Sequence, residues 1–257
     1  MELQDKVVVI TGGASGLGRA TADYFVGKGA RVSLFDLNEE AGNAAVTELG
    51  EDNALFAVTD VTSEESVSAA VEATMAKFGA IHVNINCAGV PAPCKVLDRE
   101  GKATALKKFA FVVNVNLIGL FNVMSKCAEK MALNEPDAGE ERGVIVNISS
   151  GAAFEGQIGQ NAYSASKSGV LGLNLPAARE LGRLGIRVNA ICPGLFGTPM
   201  VASLDQKVQD ALVNMIESPK RMGDMKEFAH CCAFLVENGY MNGRTIRLDA
   251  ATVMQAK

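Results

Sequence analysis

Apolar residues follow two alternating rhythms along this chain. Short, continuous runs of Val, Ile and Leu recur, beginning with Lys6-Val7-Val8-Val9-Ile10 and Arg31-Val32-Ser33-Leu34-Phe35-Asp36. Such runs predict strands buried on both faces. Between them, apolar residues return at helical spacing. The spacing predicts helices over 19–28, 38–49, 63–78, 104–133, 162–184 and 224–237. Further strands are predicted over 54–58, 81–86, 144–149, 186–191 and 244–249. Ser63 reads as a helix N-cap, with Glu64 and Glu65 favourably placed in the first turn. Pro176 falls inside a predicted helix, where it removes one hydrogen bond and bends the element.

Seven short strands alternating with helices predict an α/β fold. It is a single doubly wound, Rossmann-type domain over 1–257: a seven-stranded parallel sheet with helices on both faces. Three irregular stretches break the alternation, at 91–103, 134–143 and 194–223. The first and third leave from the carboxyl ends of strands, where an open α/β sheet binds its ligand. They are the candidate pocket walls, and 194–223 the candidate substrate loop.

Composition narrows the class. Lys and Arg number 24 against 29 Asp and Glu, a formal charge of −5, which argues against a nucleic-acid or anionic-membrane partner. The longest uncharged runs, such as 109–125, carry several Asn or a Pro, so none is expected to span a bilayer. Six cysteines in 257 residues are too sparse for a disulfide scaffold and show no zinc spacing. They read as small apolar fillers in a reducing compartment, and no metal is expected. With a strand predicted from Lys6, no signal peptide is expected, and the expected location is cytoplasmic, or the mitochondrial matrix in a eukaryote.

The first chemical signal is Thr11-Gly12-Gly13-Ala14-Ser15-Gly16-Leu17-Gly18, between the first strand and the first helix. Bare amides at a helix N-terminus can cradle a diphosphate, and glycines let it approach. Asp36 ends the second strand, where a carboxylate accepts hydrogen bonds from the adenosine ribose hydroxyls. A 2′-phosphate there would meet about 4 kcal/mol of repulsion per unit charge at ~4 Å and an effective dielectric of ~20. No cation stands beside Asp36 to offset it, so the expected cofactor is NAD rather than NADP. Asp60 and Val61 close the third strand; Asp60 suits either an adenine contact or a cap.

Ser150, Tyr163 and Lys167 form the strongest constellation. Tyr163 and Lys167 are four apart and share a helix face, and Ser150 follows the fifth strand. Taking a proton from an alcohol needs a base, and a phenol with its ordinary pKa of ~10 is a poor one at neutral pH. Lowering that by about 3 pH units takes about 4 kcal/mol. An ammonium at ~5 Å supplies roughly 3 kcal/mol, and a positively charged nicotinamide adds more. The two histidines, His82 and His230, have no metal-like partners and read as core or surface residues.

TGGASGLG, Asn86-Cys87-Ala88-Gly89, Ser150 and Tyr163-Ser-Ala-Ser-Lys167 together resemble the short-chain dehydrogenase/reductase family over nearly the whole chain. Cys87 departs from that family's usual NNAG. The resemblance implies cofactor contacts from Gly12, Ser15, Gly16, Leu17, Gly18, Asn86, Ala88, Gly89, Tyr163 and Lys167. It implies that Pro193, Gly194, the backbone near Leu195 and the Thr198 hydroxyl meet the nicotinamide. It also implies a fourth catalytic residue, Asn116, holding a water that relays protons through Lys167, and a homotetramer. The segments 134–137, 153–157, 193–199 and 242–249 further resemble the branch that oxidises 3-hydroxyacyl-CoA and contains 17β-hydroxysteroid dehydrogenase activity. Substrate contacts are then implied for Ser150, Gln157, Tyr163 and Leu195. Lys95, Arg99, Lys102, Lys107 and Lys108 fit CoA phosphates or plain solvated surface equally.

The sequence thus reads as an NAD-dependent dehydrogenase acting on a secondary alcohol or ketone, a short or branched (S)-3-hydroxyacyl-CoA foremost. The alternatives are a 3-oxoacyl-carrier-protein reductase, which would prefer NADPH, and a hydroxysteroid dehydrogenase. A non-catalytic NAD sensor sits poorly with Ser150, Tyr163 and Lys167 together.

Overall fold

The computed structural model describes residues 1–202 and 205–256. Ser203 and Leu204, inside the expected substrate loop, and the Met200 side chain, at the end of its apolar stretch, lie outside the described residues. The strands are β1 (Val7–Thr11), β2 (Arg31–Asp36), β3 (Ala54–Val58), β4 (Val83–Asn86), β5 (Gly143–Ile148), β6 (Ile186–Pro193) and β7 (Thr245–Leu248). They form one sheet in the order β3-β2-β1-β4-β5-β6-β7, every neighbouring pair parallel. The order reverses between β1 and β4, opening the crevice in which this fold binds ligands.

The helices are α1 (Gly16–Val26), α2 (Glu39–Leu49), α3 (Glu64–Phe78), α4 (Leu106–Val113), α5 (Leu120–Met131), α6 (Asn161–Gly182), α7 (Pro199–Ala202), α8 (Gln206–Asn214) and α9 (Met225–Glu237). Strand residues alternate between two cores because successive side chains point to opposite faces. Val8 and Ile10 pack with Phe25 and Phe228 on one side. Val9 and Ile145 pack with Val71, Val123 and Met131 on the other.

Local chemistry explains the boundaries. The Asn38 side chain accepts from the Ala41 N–H at 3.0 Å and caps α2, and Ser63 accepts from Ser66 at 3.1 Å and caps α3. Asp224 and Glu227 form a reciprocal capping box at the start of α9. Pro176 sits within α6 without ending it.

The expected helix over 104–133 proves to be α4 and α5 joined by a π-helical stretch, Asn114–Gly119. Contrary to the expectation from its asparagines, Leu106–Met131 is long and apolar enough to cross a bilayer by length and composition. Here one face of it packs into the domain, with Val112, Val123, Cys127 and Met131 fully buried. The π stretch adds a residue to the turn, a distortion that often marks a functional position.

Candidate active site

The carboxyl ends of β1 to β5 border a cleft of about 580 Å³. Its floor is the glycine turn. Gly12 and Gly16 take φ of +64° and +55°, which favours glycine. A Cβ on Gly12 would stand 3.1 Å from the Ala88 amide, and one on Gly18 would strike the Gly12 carbonyl oxygen. The turn is therefore held tight against the end of β4, where Thr11 Oγ1 accepts from the Ala88 N–H at 3.0 Å. Ser15 occupies the N-cap of α1 without a side-chain capping bond, leaving its hydroxyl to the cleft. Bare amides at the start of a helix fit a diphosphate.

Asp36 stands on the same rim. Its carboxylate accepts from the Ala14 N–H and from the Asn38 N–H, each at 3.1 Å, so its charge is fixed beside the turn. Asp60 accepts from both the amide (2.9 Å) and the hydroxyl (2.7 Å) of Thr62. Ser63 caps the following helix, so Asp60 is not that cap; Asp60 and Val61 both line the cleft. Leu17, Ala88 and Gly89 line it too. Asn86 does not: its side chain is 1% exposed and bonds Asn84 and Asn147 beneath the sheet edge.

Beyond Gly89 the catalytic candidates converge. A Cβ there would lie 3.2 Å from Asn116 Oδ1 and 3.4 Å from Lys167 Nζ. Lys167 is 4% exposed; its ammonium donates to the Ile148 carbonyl at 2.8 Å and stands 5.8 Å from the Tyr163 ring centroid. Ser150 caps a 3₁₀ turn, Gly151–Ala153, its hydroxyl accepting from the Ala152 N–H at 3.1 Å, and it hydrogen-bonds the Tyr163 phenol. Asn116 lies in the π stretch. Its carboxamide is fully engaged: Oδ1 accepts from the Val90 N–H at 2.8 Å, and Nδ2 donates to the Val90 carbonyl and Ser166 Oγ. These bonds fix the carboxamide between the loop after β4 and α6, in a stretch where the helix ladder is irregular.

Electrostatics differ from expectation at one point. Burial pushes the Tyr163 phenol up, opposed only by its hydrogen bond to Ser150. Burial pulls Lys167 down from 10.5 to about 8. The expected lowering of Tyr163 by Lys167 is therefore absent, because desolvation dominates both groups.

The remaining candidates lie along one edge. Pro193 ends β6, and the Gly194 N–H donates to the Leu248 carbonyl at 2.9 Å. The Thr198 methyl stands 3.9 Å from a Cβ built on Gly16, which places Thr198 beside the glycine turn. Leu195 holds the substrate loop closed by accepting from the Gly223 N–H at 2.9 Å. Gln157 donates to the Gln255 carbonyl at 3.1 Å, so its amide is tied to the C-terminal tail. The sequence assigned no individual role to Thr11, Ser149 or Ser166. Ser149 donates to the Lys167 carbonyl at 2.7 Å, and Ser166 links Asn116 to the Tyr163 carbonyl. Their only sequence signal was adjacency to the catalytic candidates.

Residues 6–209 match the short chain dehydrogenase family model. The chain belongs to the short-chain dehydrogenase family. It is 50% identical over 250 residues to 3-hydroxyacyl-CoA dehydrogenase type-2 of Homo sapiens, covering 97% of this chain and 95% of that one. It is 47% identical to the Drosophila melanogaster protein of the same name, covering 98% and 99%. A crystal structure of 3-hydroxyacyl-CoA dehydrogenase type-2 from Mycobacterium avium superposes with a TM-score of 0.94 at 39% identity, covering both chains fully. As a short-chain dehydrogenase, the chain is an oxidoreductase that uses a nicotinamide cofactor.

A Lys whose folded pKa lies below its unfolded value binds fewer protons when folded, so it costs stability below about pH 8 and the cost fades towards 10.5. The fall to about 8 corresponds to about 3 kcal/mol. Lys167→Met should therefore unfold at higher urea than wild type at pH 7 while losing turnover, with the gap closing between pH 8 and 10.5. An unchanged or lower midpoint would contradict a buried charge at Lys167. Tyr163→Phe should keep cofactor binding and lose turnover by roughly 10²-fold or more; steady-state kinetics would reject its role as base if the loss were only a few-fold.

Proposed function

We propose that this dehydrogenase interconverts (S)-3-hydroxyacyl-CoA and 3-oxoacyl-CoA of short or branched chain, with NAD(H). The observation that carries the chemistry is the convergence of Ser150, Tyr163, Lys167 and Asn116 beside the glycine cleft. The near-full-length identity to two proteins named 3-hydroxyacyl-CoA dehydrogenase type-2 carries the substrate class.

Ser150 holds the substrate oxygen and Tyr163 takes the hydroxyl proton. The buried Lys167 ammonium steadies the phenolate that forms and donates to the ribose hydroxyls. Asn116, clamped to Val90 and Ser166, fixes the irregular turn next to Lys167. The glycine turn and Ser15 would hold the diphosphate, and Asp36 the adenosine ribose. When bound, the nicotinamide supplies the hydride acceptor. The rest is orientation: a closed cleft converts encounter into a unimolecular step.

Asp36 supports NAD over NADP, since a 2′-phosphate beside its fixed carboxylate would be repelled. The basic stretch supports CoA. Asp98 accepts from the amides of Glu100 and Lys102 and folds it into a hairpin closed by a Leu97–Ala103 bridge. That hairpin is anchored beside α6, where the Cys94 N–H donates to the Gly159 carbonyl at 2.7 Å and Asn161 Nδ2 donates to the Cys94 carbonyl. Lys95, whose Cγ would lie 3.8 Å from a Cβ on Gly159, thus stands just before the helix that carries Tyr163. Exposed Leu106, Phe111, Ile118 and Phe121 on the Leu106–Met131 helix support a homotetramer, in which another copy covers that face.

Catalytic efficiency with NAD should exceed that with NADP, and Asp36→Ala should narrow the gap mainly by weakening NAD; a wild-type preference for NADP would refute this assignment. Charge-assisted phosphate contacts contribute about 1.5–3 kcal/mol each. Two of them make a CoA ester roughly 10²-fold more efficient than a truncated thioester. Neutralising Lys95, Arg99 and Lys102 together should remove most of that advantage, whereas equal efficiency of the two thioesters in wild type would leave the hairpin as solvated surface.

A further inference from the structure

The chain after β7 turns back onto the active site. The Ile158 N–H donates to the Ala256 carbonyl at 3.0 Å, and Gln157 Nε2 donates to the Gln255 carbonyl. The tail thus packs on 157–158, between the turn that follows Ser150 and the start of α6, which carries Tyr163. One side chain joins these parts at their root. Arg247, on β7, is bidentate to Glu155, at 2.6 and 3.1 Å. Its Nε donates to Asp249 at 2.7 Å and its Nη2 to the Thr252 carbonyl at 3.2 Å. Its guanidinium also stacks over Phe154, 5.1 Å from the ring centroid.

We propose that Arg247 is a positioning residue for the dehydrogenase reaction, clamping the C-terminal tail and the nicotinamide-side strand end to the turn that carries Ser150. The proposal rests on the dehydrogenase reading of Ser150 and Tyr163. Both ends of the clamp lead to the chemistry in a few bonds. The Glu155 and Phe154 amides donate to the Gly151 carbonyl, within the 3₁₀ turn that Ser150 caps. Asp249 packs directly on Gly194, where a Cβ would lie 2.7 Å from its Cα. Gly194 follows the strand end expected to meet the nicotinamide. Arg247 therefore fixes the spacing between the residue that holds the substrate oxygen and the edge that holds the hydride acceptor.

A single exposed ion pair would do little. Here a planar fork meets one carboxylate bidentately and shares a second, with side-chain exposures of 34%, 26% and 11% for Arg247, Glu155 and Asp249. Lysine offers a point charge and cannot reproduce that geometry.

The test uses the full chain with acetoacetyl-CoA and NADH, and amide hydrogen exchange of the free protein. Arg247→Ala should lower kcat by about 10-fold or more, the scale of a small misplacement at the reacting centre. The KM for NADH should stay within about two-fold, since the glycine turn and Asp36 are untouched. Glu155→Gln should reproduce the loss, the double variant should be no worse than the poorer single, and Arg247→Lys should recover only part of it. The Ile158 amide should exchange about 10-fold faster in Arg247→Ala, with the β1 and β5 amides unchanged. If Arg247→Ala fails to fold, Glu155→Gln and Arg247→Lys carry the same readouts. Unchanged kcat, full additivity of the two substitutions, or unchanged exchange at Ile158 would each overturn the proposal. If wild type does not turn over acetoacetyl-CoA, the substrate reading fails, and exchange at Ile158 still decides whether the clamp exists.

Discussion

A lysine ammonium buried under the active site is the constraint around which this structure is arranged. Lys167 is 4% exposed, with a carbonyl oxygen as its hydrogen-bonded partner and, among the described residues, no carboxylate paired with it. Burying a cation without an opposite charge is costly, and burial accordingly pulls its pKa down to about 8. The fold holds it there from several sides. Ser149 fixes the helix backbone at Lys167, and Asn116 fixes the loop after β4. Gly89 leaves room for the Asn116 carboxamide and the ammonium together. Such strain at a site, offset by the rest of the domain, is what a pre-organised charge requires.

The sheet supplies that offset. Its strands pack two continuous cores, and their carboxyl ends present Gly12, Asp36, Gly89, Ser150 and Gly194 along one edge. The edge is rigid because polar groups beneath it are satisfied by one another. Asn84, Asn86 and Asn147 form a fully buried carboxamide network that joins β4 to β5 directly below the site. Catalysis then needs little movement. Ser150 already stands against the Tyr163 phenol, and what remains to be supplied is the charge that lowers its pKa.

Much of this was legible in the sequence. The parallel seven-stranded sheet follows from the βα alternation, and the glycine turn, Asp36, Ser150, Tyr163 and Lys167 announce themselves by residue type and spacing. Less visible were features that depend on long-range contact. The π stretch around Asn116 leaves no periodic signature, since one extra residue in a turn barely alters helical spacing. Asn86 carries a family motif, yet its side chain turns into the sheet because Asn147 lies opposite it in the register. The rise in the Tyr163 pKa was missed for a physical reason: pairwise attraction can be read from spacing, whereas desolvation depends on everything packed around the pair. Glu155 and Arg247, far apart in sequence, meet only when β7 joins the sheet beside β6.

The central claim is that Tyr163 becomes a usable base through charge assembled around it in the complex rather than through its setting in the free protein. With three tyrosines in the chain, the phenolate of Tyr163 can be followed by ultraviolet difference titration against Tyr163→Phe. The account predicts a pKa above the ordinary value of ~10 in the free protein and a clearly lower one in the complex with NAD⁺. Identical titration in the two states, or a free phenol that already ionises near neutrality, would contradict it.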